Sequence, residues 1–231
     1  MTCGELGQGE REAVITIDGP AGAGKSTAAR ALAQRLGYRL LDTGAMYRAL
    51  AWSVAHAGLP AEDTPALRRH LESVEVELMG DRVAVNGRDV TGEIRTQEIS
   101  DLTSRLTMLT PVRDKVTPLQ RRMAAGGGAV LEGRDTGTVV CPDADVKFYV
   151  DASDEARARR RQAEFLGRGV LVDLEVVRAE IALRDRQDAT RALAPLRKAP
   201  DAITVDTTNL TVDQVIDVML RAVEKQCCTR S

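Results

Sequence analysis

The sequence has few aromatic residues and few histidines. Its 231 residues include one Trp, two Phe, three Tyr and two His. Proteins that bind single-stranded nucleic acid usually stack bases on aromatic side chains, so this scarcity argues against a nucleic-acid-binding module. The formal net charge is −2, from 32 basic and 34 acidic residues, and so gives no overall field that would attract nucleic acid. We expect no nucleic-acid partner, and any anion site has to come from a local cluster.

Long apolar runs and paired cysteine motifs are also absent. No window approaches the roughly 18 consecutive apolar residues that a membrane-spanning helix needs, and residues 1–12 are glycine-rich and acidic, without an apolar signal core. We therefore expect a cytoplasmic protein without membrane contact, disordered over residues 1–12 and with a tail at 226–231. Cys3, Cys141, Cys227 and Cys228 show no C-x-x-C spacing, which favours ordinary reduced thiols over a metal or redox site.

Strand and helix patterns alternate along the chain and predict one domain over residues 13–225. Apolar runs predict five strands, at 13–18, 38–42, 129–131, 146–150 and 203–206. Helical patterns lie between and after them, at 25–36, 45–56, 98–107, 112–125, 154–166, 173–186 and 211–224. Apolar and polar residues alternate with a period of two at 74–78 and 82–85, which predicts a small antiparallel sheet inserted into the α/β domain. Parallel strands joined by helices predict a three-layer α/β/α fold that binds ligands at the carboxyl ends of its strands.

A glycine-rich loop follows the first strand and matches the pattern G-x-x-x-x-G-K-S/T. Its strand before and helix after are the context that a phosphate-binding P-loop requires. We predict that the loop binds the phosphates of ATP, through Gly19, Pro20, Ala21, Gly22, Ala23, Gly24, Lys25, Ser26 and Thr27. Lys25 should bridge the β- and γ-phosphates, and the Ser26 hydroxyl should bind Mg²⁺ directly or through water.

The loop identifies the phosphate donor but not the reaction, because GTPases, ATPases and small-molecule kinases share it. The chain has no N-K-x-D stretch for guanine recognition and no long apolar strand ending in Asp-Glu to position a hydrolytic water. These absences favour a small-molecule kinase. A regulatory protein that binds ATP without transferring phosphate is an alternative, but it would not need the arginines described next.

Four more segments follow the loop in order, at 41–48, 92–98, 132–140 and 184–196. Together with the loop, this ordered set resembles the bacterial cytidylate kinases over about residues 14–223. The resemblance implies a P-loop NTPase fold with an acceptor-binding insertion at about 62–108 and an arginine-rich helical lid at about 154–172. It implies a monomeric enzyme that uses Mg²⁺ to transfer the γ-phosphoryl of ATP to CMP or dCMP. A monophosphate kinase for another base, UMP or AMP, is the alternative.

The resemblance also implies which residues surround the acceptor. The acceptor phosphate corresponds to Tyr47, Arg48, Arg95 and Arg134, the cytosine to Thr43, Arg113, Asp135 and Arg191, and the sugar to Ser104, Arg184 and Asp188. Cytosine offers an amine donor beside two acceptors, so a carboxylate and arginines suit it, whereas uracil reverses two of these positions. The arginines could instead form surface or helix-end salt bridges, Tyr47 could be a core residue, and Arg184 and Asp188 could be an i, i+4 pair.

Arginines are dense just before the Gly167–Gly169 turn, at positions 157, 159, 160 and 161. A mobile arginine lid would neutralise the transferring phosphoryl group and exclude water. We predict catalytic roles for Lys25, Arg134, Arg157, Arg161 and Arg186, with Arg160 a weaker candidate and Arg159 a solvated residue. The family commonly has Asp at the position of Glu132 and Ser at that of Thr43, so the role of Glu132 stays open. No general base is expected, and His56 and His70 are predicted to be structural or surface residues.

Overall fold

A computed structural model describes residues 11–167 and 169–228. The predictions for residues 1–10, including Cys3, and for residues 229–231 lie outside the described residues. Arg168 in the predicted lid turn and the side chains of Cys227 and Cys228 also lie outside them. Cys141 has a free thiol. Within the described residues, no helix is long and apolar enough to cross a membrane.

Five parallel strands form the central sheet, in the order β2-β6-β1-β7-β8. They are β1 (Val14–Asp18), β2 (Arg39–Asp42), β6 (Ala129–Glu132), β7 (Val146–Asp151) and β8 (Ile203–Asp206). All five residues of β1 are buried, as expected for a central parallel strand covered on both faces. A second sheet is antiparallel and has the order β3-β4-β5, from β3 (Val76–Met79), β4 (Arg82–Val85) and β5 (Arg88–Asp89).

Helices cover both faces of the parallel sheet. The helices are α1 (Lys25–Leu36), α2 (Thr43–His56), α3 (Pro65–Ser73), α4 (Gln97–Leu106), α5 (Thr110–Ala124), α6 (Asp154–Leu166), α7 (Leu174–Thr190) and α8 (Val212–Cys228). One face of the sheet packs on α1 and α8, through Leu32 and Met219 among others. The opposite face packs on α5, through Ala124. The predicted three-layer α/β/α fold with a five-stranded parallel sheet and an antiparallel insertion is therefore confirmed.

The small sheet and its neighbouring helices share a hydrophobic core of their own. Leu50 of α2, Leu67 of α3, Val85 of β4 and Leu106 of α4 are buried in it. Helix α3 was not predicted, although Thr64 and Pro65 give a start signal: the Thr64 hydroxyl accepts a hydrogen bond from the Leu67 amide at 3.1 Å, and proline suits the first helical position. This core joins the insertion firmly to α2.

Two helix boundaries and one turn differ from the prediction in ways that affect the candidate site. Helix α2 begins at Thr43 because Asp42 caps it, accepting from the Ala45 amide at 2.7 Å. Helix α7 continues to Thr190, so Arg191 lies at its end. After β6 the chain forms a π-helical turn at Thr136–Val140, which local sequence patterns do not reveal.

Candidate active site

One cavity of about 380 Å³ lies at the carboxyl ends of β1 and β6, between the glycine-rich loop and helix α7. Most residues predicted from the sequence line it: Ala21, Gly22, Gly24, Lys25, Ser26, Thr27, Thr43, Tyr47, Arg48, Ser104, Arg113, Arg134, Asp135, Arg161, Arg184, Asp188 and Arg191. The structure thus brings together residues from seven separate parts of the chain. Six predicted residues are not among the lining: Gly19, Pro20, Ala23, Arg95, Arg157 and Arg186.

The glycines of the loop are required by close packing as well as by backbone angle. Gly19 has a φ of +149°, and a Cβ there would lie 1.9 Å from the carbonyl oxygen of Val150. Gly22 has a φ of +75°, and its Cβ would lie 3.0 Å from the carbonyl oxygen of Arg157. Gly24 caps α1 in the left-handed conformation. Glycine adopts such angles without a steric penalty, so the loop can press against β7 and α6 and still turn into α1.

Lys25 is buried at the floor of the cavity, with 6% of its surface exposed. Its Nζ donates a hydrogen bond to the carbonyl oxygen of Pro20 at 2.5 Å. Burial and, after it, the positive charge of Arg134 lower the Lys25 pKa to about 7, although the negative charge of Glu132 opposes this change. An anion placed beside Lys25 would reverse the effect. The ammonium group is therefore held where a phosphate can neutralise it.

Ser26 and Glu132 form the part of the cavity that suits a magnesium ion. The Ser26 hydroxyl donates to Oε1 of Glu132 at 2.9 Å, while Oε2 of Glu132 is buried without a hydrogen-bond partner. Burial raises the Glu132 pKa, and the nearby charge of Asp42 adds to this. Mg²⁺ is commonly held by one or two protein oxygens together with substrate phosphates. The orphaned carboxylate oxygen beside a loop hydroxyl fits that requirement, although no group of three acidic, His or Cys ligands occurs among the described residues.

Asp135 forms the centre of a second charged group in the lining of the cavity. Arg113 Nη1 donates to Oδ2 of Asp135 at 2.9 Å, and Arg191 Nη2 lies 3.5 Å from Oδ1. All three side chains are at most 8% exposed. Arg191 Nη2 is buried without a hydrogen-bond partner, and the Arg113 guanidinium lies 5.8 Å from the ring centre of Tyr47. Buried polar groups of this kind favour a ligand that completes their hydrogen bonds.

Positive charge also dominates the rest of the cavity lining, which includes Arg48, Arg134 and Arg184. Arg134 Nε pairs with Asp188 Oδ2 at 2.9 Å, and Arg48 pairs with Asp42 at 3.0 Å. Burial lowers the pKa of Arg184 to about 10, and the charge of Arg134 contributes. The positive charges of these guanidinium groups repel one another. A negative ligand would relieve this repulsion, so the group favours binding of an anion.

The hydroxyl groups of Thr43 and Ser104, which were predicted to contact the acceptor nucleotide, donate hydrogen bonds to main-chain carbonyls in the structure. The Thr43 hydroxyl donates to the main-chain carbonyl of Glu132 at 2.6 Å. The Ser104 hydroxyl donates to the carbonyl of Ser100 at 3.3 Å. A hydroxyl that donates one hydrogen bond can still accept others, so both predicted roles stay predictions.

The structure does not bring Arg95, Arg157 or Arg186 to the cavity lining. Arg95 and Arg186 are exposed, whereas Arg157 is buried against the underside of the loop. Arg157 Nη1 donates to the carbonyl of Ala21 at 3.0 Å and also pairs with Asp185, whose carboxylate accepts from the Ala21 amide at 2.9 Å. In this structure Arg157 therefore supports the phosphate loop from outside, and its contact with ATP phosphates on lid closure stays a prediction.

Comparison with known proteins agrees with this geometry. The family model described as cytidylate kinase matches residues 15–225. A protein of a Geobacter species named cytidylate kinase is 46% identical, over 94% of this chain and 95% of its own. One from Symbiobacterium thermophilum with the same name is 47% identical, over 92% of this chain and 96% of its own. The chain belongs to the cytidylate kinase family. Among solved structures, one from Thermus thermophilus has a TM-score of 0.52 at 21% identity, covering 94% of this chain and 98% of that one, and shows the shared fold.

Sequence reasoning missed several residues at or next to the family's site. Asp18, Asp42 and Asp185 each fix a backbone segment of the site. Arg160, which was predicted only as a weaker candidate, lines the cavity, and its Nη1 donates to the Thr207 hydroxyl at 2.8 Å. Asp18 had a usable signal, since a charged residue at the end of a buried strand needs partners. Asp42 did too, because Asp before a helical pattern is an N-cap signal. Nothing local marks Asp185 or distinguishes Arg160 from Arg157.

Proposed function

We propose that this protein transfers the γ-phosphoryl group of ATP to CMP or dCMP, giving ADP and CDP or dCDP. Its family membership makes it a kinase that acts on small nucleotides. The observation that carries the finer assignment is that one cavity is lined both by the phosphate loop and by the Asp135 group. We propose that the protein acts as a monomer in the cytoplasm.

The donor end supports binding of a nucleoside triphosphate. Lys25 would contact the β- and γ-phosphates, and Ser26 with Glu132 would hold Mg²⁺ or its water ligands. Bound Mg²⁺ would neutralise charge that develops on the phosphates during transfer. Burial disfavours the protonated form of Lys25, and a phosphate beside the amine would favour that form. Lys25 would therefore carry its positive charge most fully when a phosphate is bound.

The acceptor end supports cytosine over uracil. Asp135 would accept from the exocyclic amine of cytosine, while Arg113 and Arg191 donate to its O2 or N3. The Nη2 of Arg191 makes no hydrogen bond, so it offers one such donor without breaking an existing one. Uracil would present a carbonyl to the carboxylate, and an unmet buried polar group of this kind costs about 1–3 kcal/mol. Arg134 and Arg48 would face the acceptor phosphate.

Transfer at this site needs positioning and charge rather than a base. The attacking oxygen of a monophosphate is already anionic, and neither His56 nor His70 lines the cavity. Arg134 and Arg161, with Lys25, would stabilise the charge on the transferring phosphoryl oxygens. Helices α6 and α7 pack together through Ala158, Val177 and Ile181, and so would carry the lid arginines as one unit.

An ADP-release assay with Mg²⁺ and separate CMP, dCMP, UMP, AMP and GMP acceptors tests the proposal. We expect fast release with CMP and dCMP, weak release with UMP, and none without an acceptor. Fast release with UMP or AMP instead would keep a monophosphate kinase but overturn the assignment of Asp135. Equal release without any acceptor would indicate an ATPase and refute the proposal.

The magnesium assignment has its own test in Glu132→Gln. The amide oxygen can still accept from Ser26, but the negative charge is lost. We expect the Mg²⁺ concentration for half-maximal rate to rise by about tenfold, in the range seen for altered metal-site partners. An unchanged Mg²⁺ requirement would exclude Glu132 from the metal site.

A further inference from the structure

The carboxylate of Asp18 links the start of the phosphate loop to the turn after Asp135. Asp18 is the last residue of β1 and directly precedes Gly19, the first residue of the phosphate loop. Its side chain does not line the cavity and is almost fully buried, with 4% of its surface exposed. It accepts three hydrogen bonds: from the Thr136 amide at 2.9 Å, the Thr136 hydroxyl at 2.8 Å and the Gly137 amide at 2.8 Å. All three donors lie in the turn that directly follows Asp135.

Glycines allow this close approach between β1 and the turn. A Cβ on Gly137 would lie 2.8 Å from the Thr16 hydroxyl oxygen and 3.4 Å from Oδ2 of Asp18. On the other side of Asp135, the Gly133 amide donates to the carbonyl oxygen of Ile17 at 3.0 Å. The segment that contains Asp135 is therefore bonded to the end of β1 both before and after that residue.

We propose that Asp18 is a positioning residue, which sets the place of Asp135 relative to the phosphate loop. The inference rests on the proposed function, in which Asp135 contacts the acceptor base. Two amides and a hydroxyl that converge on one carboxylate fix the start of the turn, and charge-assisted hydrogen bonds of this kind are short and strong. Phosphoryl transfer depends on close alignment of donor and acceptor, and small displacements lower the rate strongly. Asp18 joins both sites through one side chain.

Thr136 offers the mildest test, because Thr136→Val removes only one of the three hydrogen bonds and keeps the side-chain shape. Thr138→Val is the matched control: it lies in the same turn, and its buried hydroxyl has no hydrogen-bond partner. We expect Thr136→Val to lower the ratio of kcat/KM for CMP over UMP by about tenfold, the effect of one lost hydrogen bond to a charged group. Thr136→Ser, which keeps the hydroxyl, should restore most of the ratio.

Asp18→Asn is the stronger variant, because the amide nitrogen cannot accept from the donors that face it. We expect a rise of about 100-fold in the KM for CMP. MgATP binding without acceptor should change less than threefold, since Gly19 packs closely against Val150 and none of the three Asp18 hydrogen bonds goes to the loop. If Thr136→Val keeps the wild-type CMP/UMP ratio, like Thr138→Val, then Asp18 is only structural and the inference is wrong. A wild-type protein that phosphorylates no cytidine monophosphate would instead refute the proposed function, and the inference with it.

Discussion

Binding of the donor should take up a proton, because the ligand-free cavity disfavours the charged form of Lys25. The Lys25 pKa is about 7 in the free protein, against an ordinary value of 10.5. At pH 8 a group with such a pKa is protonated in about one molecule in ten. A triphosphate beside the ammonium group raises the pKa again, so binding at pH 8 should take up about 0.9 proton per donor.

The measurement is isothermal titration of MgATP into the protein at pH 8, without acceptor, in several buffers that differ in ionisation enthalpy. The slope of observed enthalpy against buffer ionisation enthalpy gives the number of protons taken up. The direction of proton transfer also fixes how MgATP affinity depends on pH. Above pH 7 the free protein holds fewer protons than the complex. The affinity for MgATP should therefore fall by about tenfold per pH unit from pH 8 to 10.

Lys25→Arg is the matched control for this prediction. A guanidinium stays protonated in proteins, so the variant should bind MgATP with uptake below about 0.2 proton at pH 8. Wild-type uptake as low as that of the variant would refute the reasoning. It would mean that the free cavity already stabilises the charged form of Lys25.

Three further predictions concern single side chains. Gly19→Ala should lower the free energy of unfolding, measured in urea, by more than about 3 kcal/mol. The control Gly58→Ala, also at positive φ but with open space around it, should lower it by about 1 kcal/mol. Similar losses in the two variants would contradict the close contact at Gly19. Arg186→Ala should lower kcat by about 100-fold if Arg186 contacts the phosphates when the lid closes, and the urea midpoint should stay unchanged. Arg159→Ala, on the lid helix α6, should change neither kcat nor the midpoint. Asp135→Asn should lower stability by about 3 kcal/mol by leaving buried guanidinium groups without an anion, and should reduce the preference for CMP over UMP; a retained preference would contradict the base assignment.

The phosphate loop could be predicted from the sequence almost completely. Its glycine spacing, the strand before it and the helix after it are local features, and the structure shows why Gly19 and Gly22 cannot be larger residues. The five strands were also predicted within two residues, because buried parallel strands are continuous apolar runs. The missed helix α3 has a local signal in Thr64 and Pro65, so that error was one of interpretation.

The roles of individual lid arginines could not be predicted in this way. Arg157 and Arg160 are three residues apart on one helix, and the sequence gives no reason to separate them. In the structure Arg157 pairs with Asp185 beneath the loop, while Arg160 contacts Thr207 and lines the cavity. The difference comes from which partner each side chain meets across the fold.

The sequence by itself determined the fold class, the phosphate loop and the family, because these depend on local periodicity, turn residues and the order of motifs. Only the tertiary structure decided that Asp18 holds the turn after Asp135 and that Glu132 faces Ser26. Those contacts join residues more than a hundred positions apart. The physical reason is that a buried carboxylate must find its donors wherever the packed chain brings them, and local patterns do not contain that information.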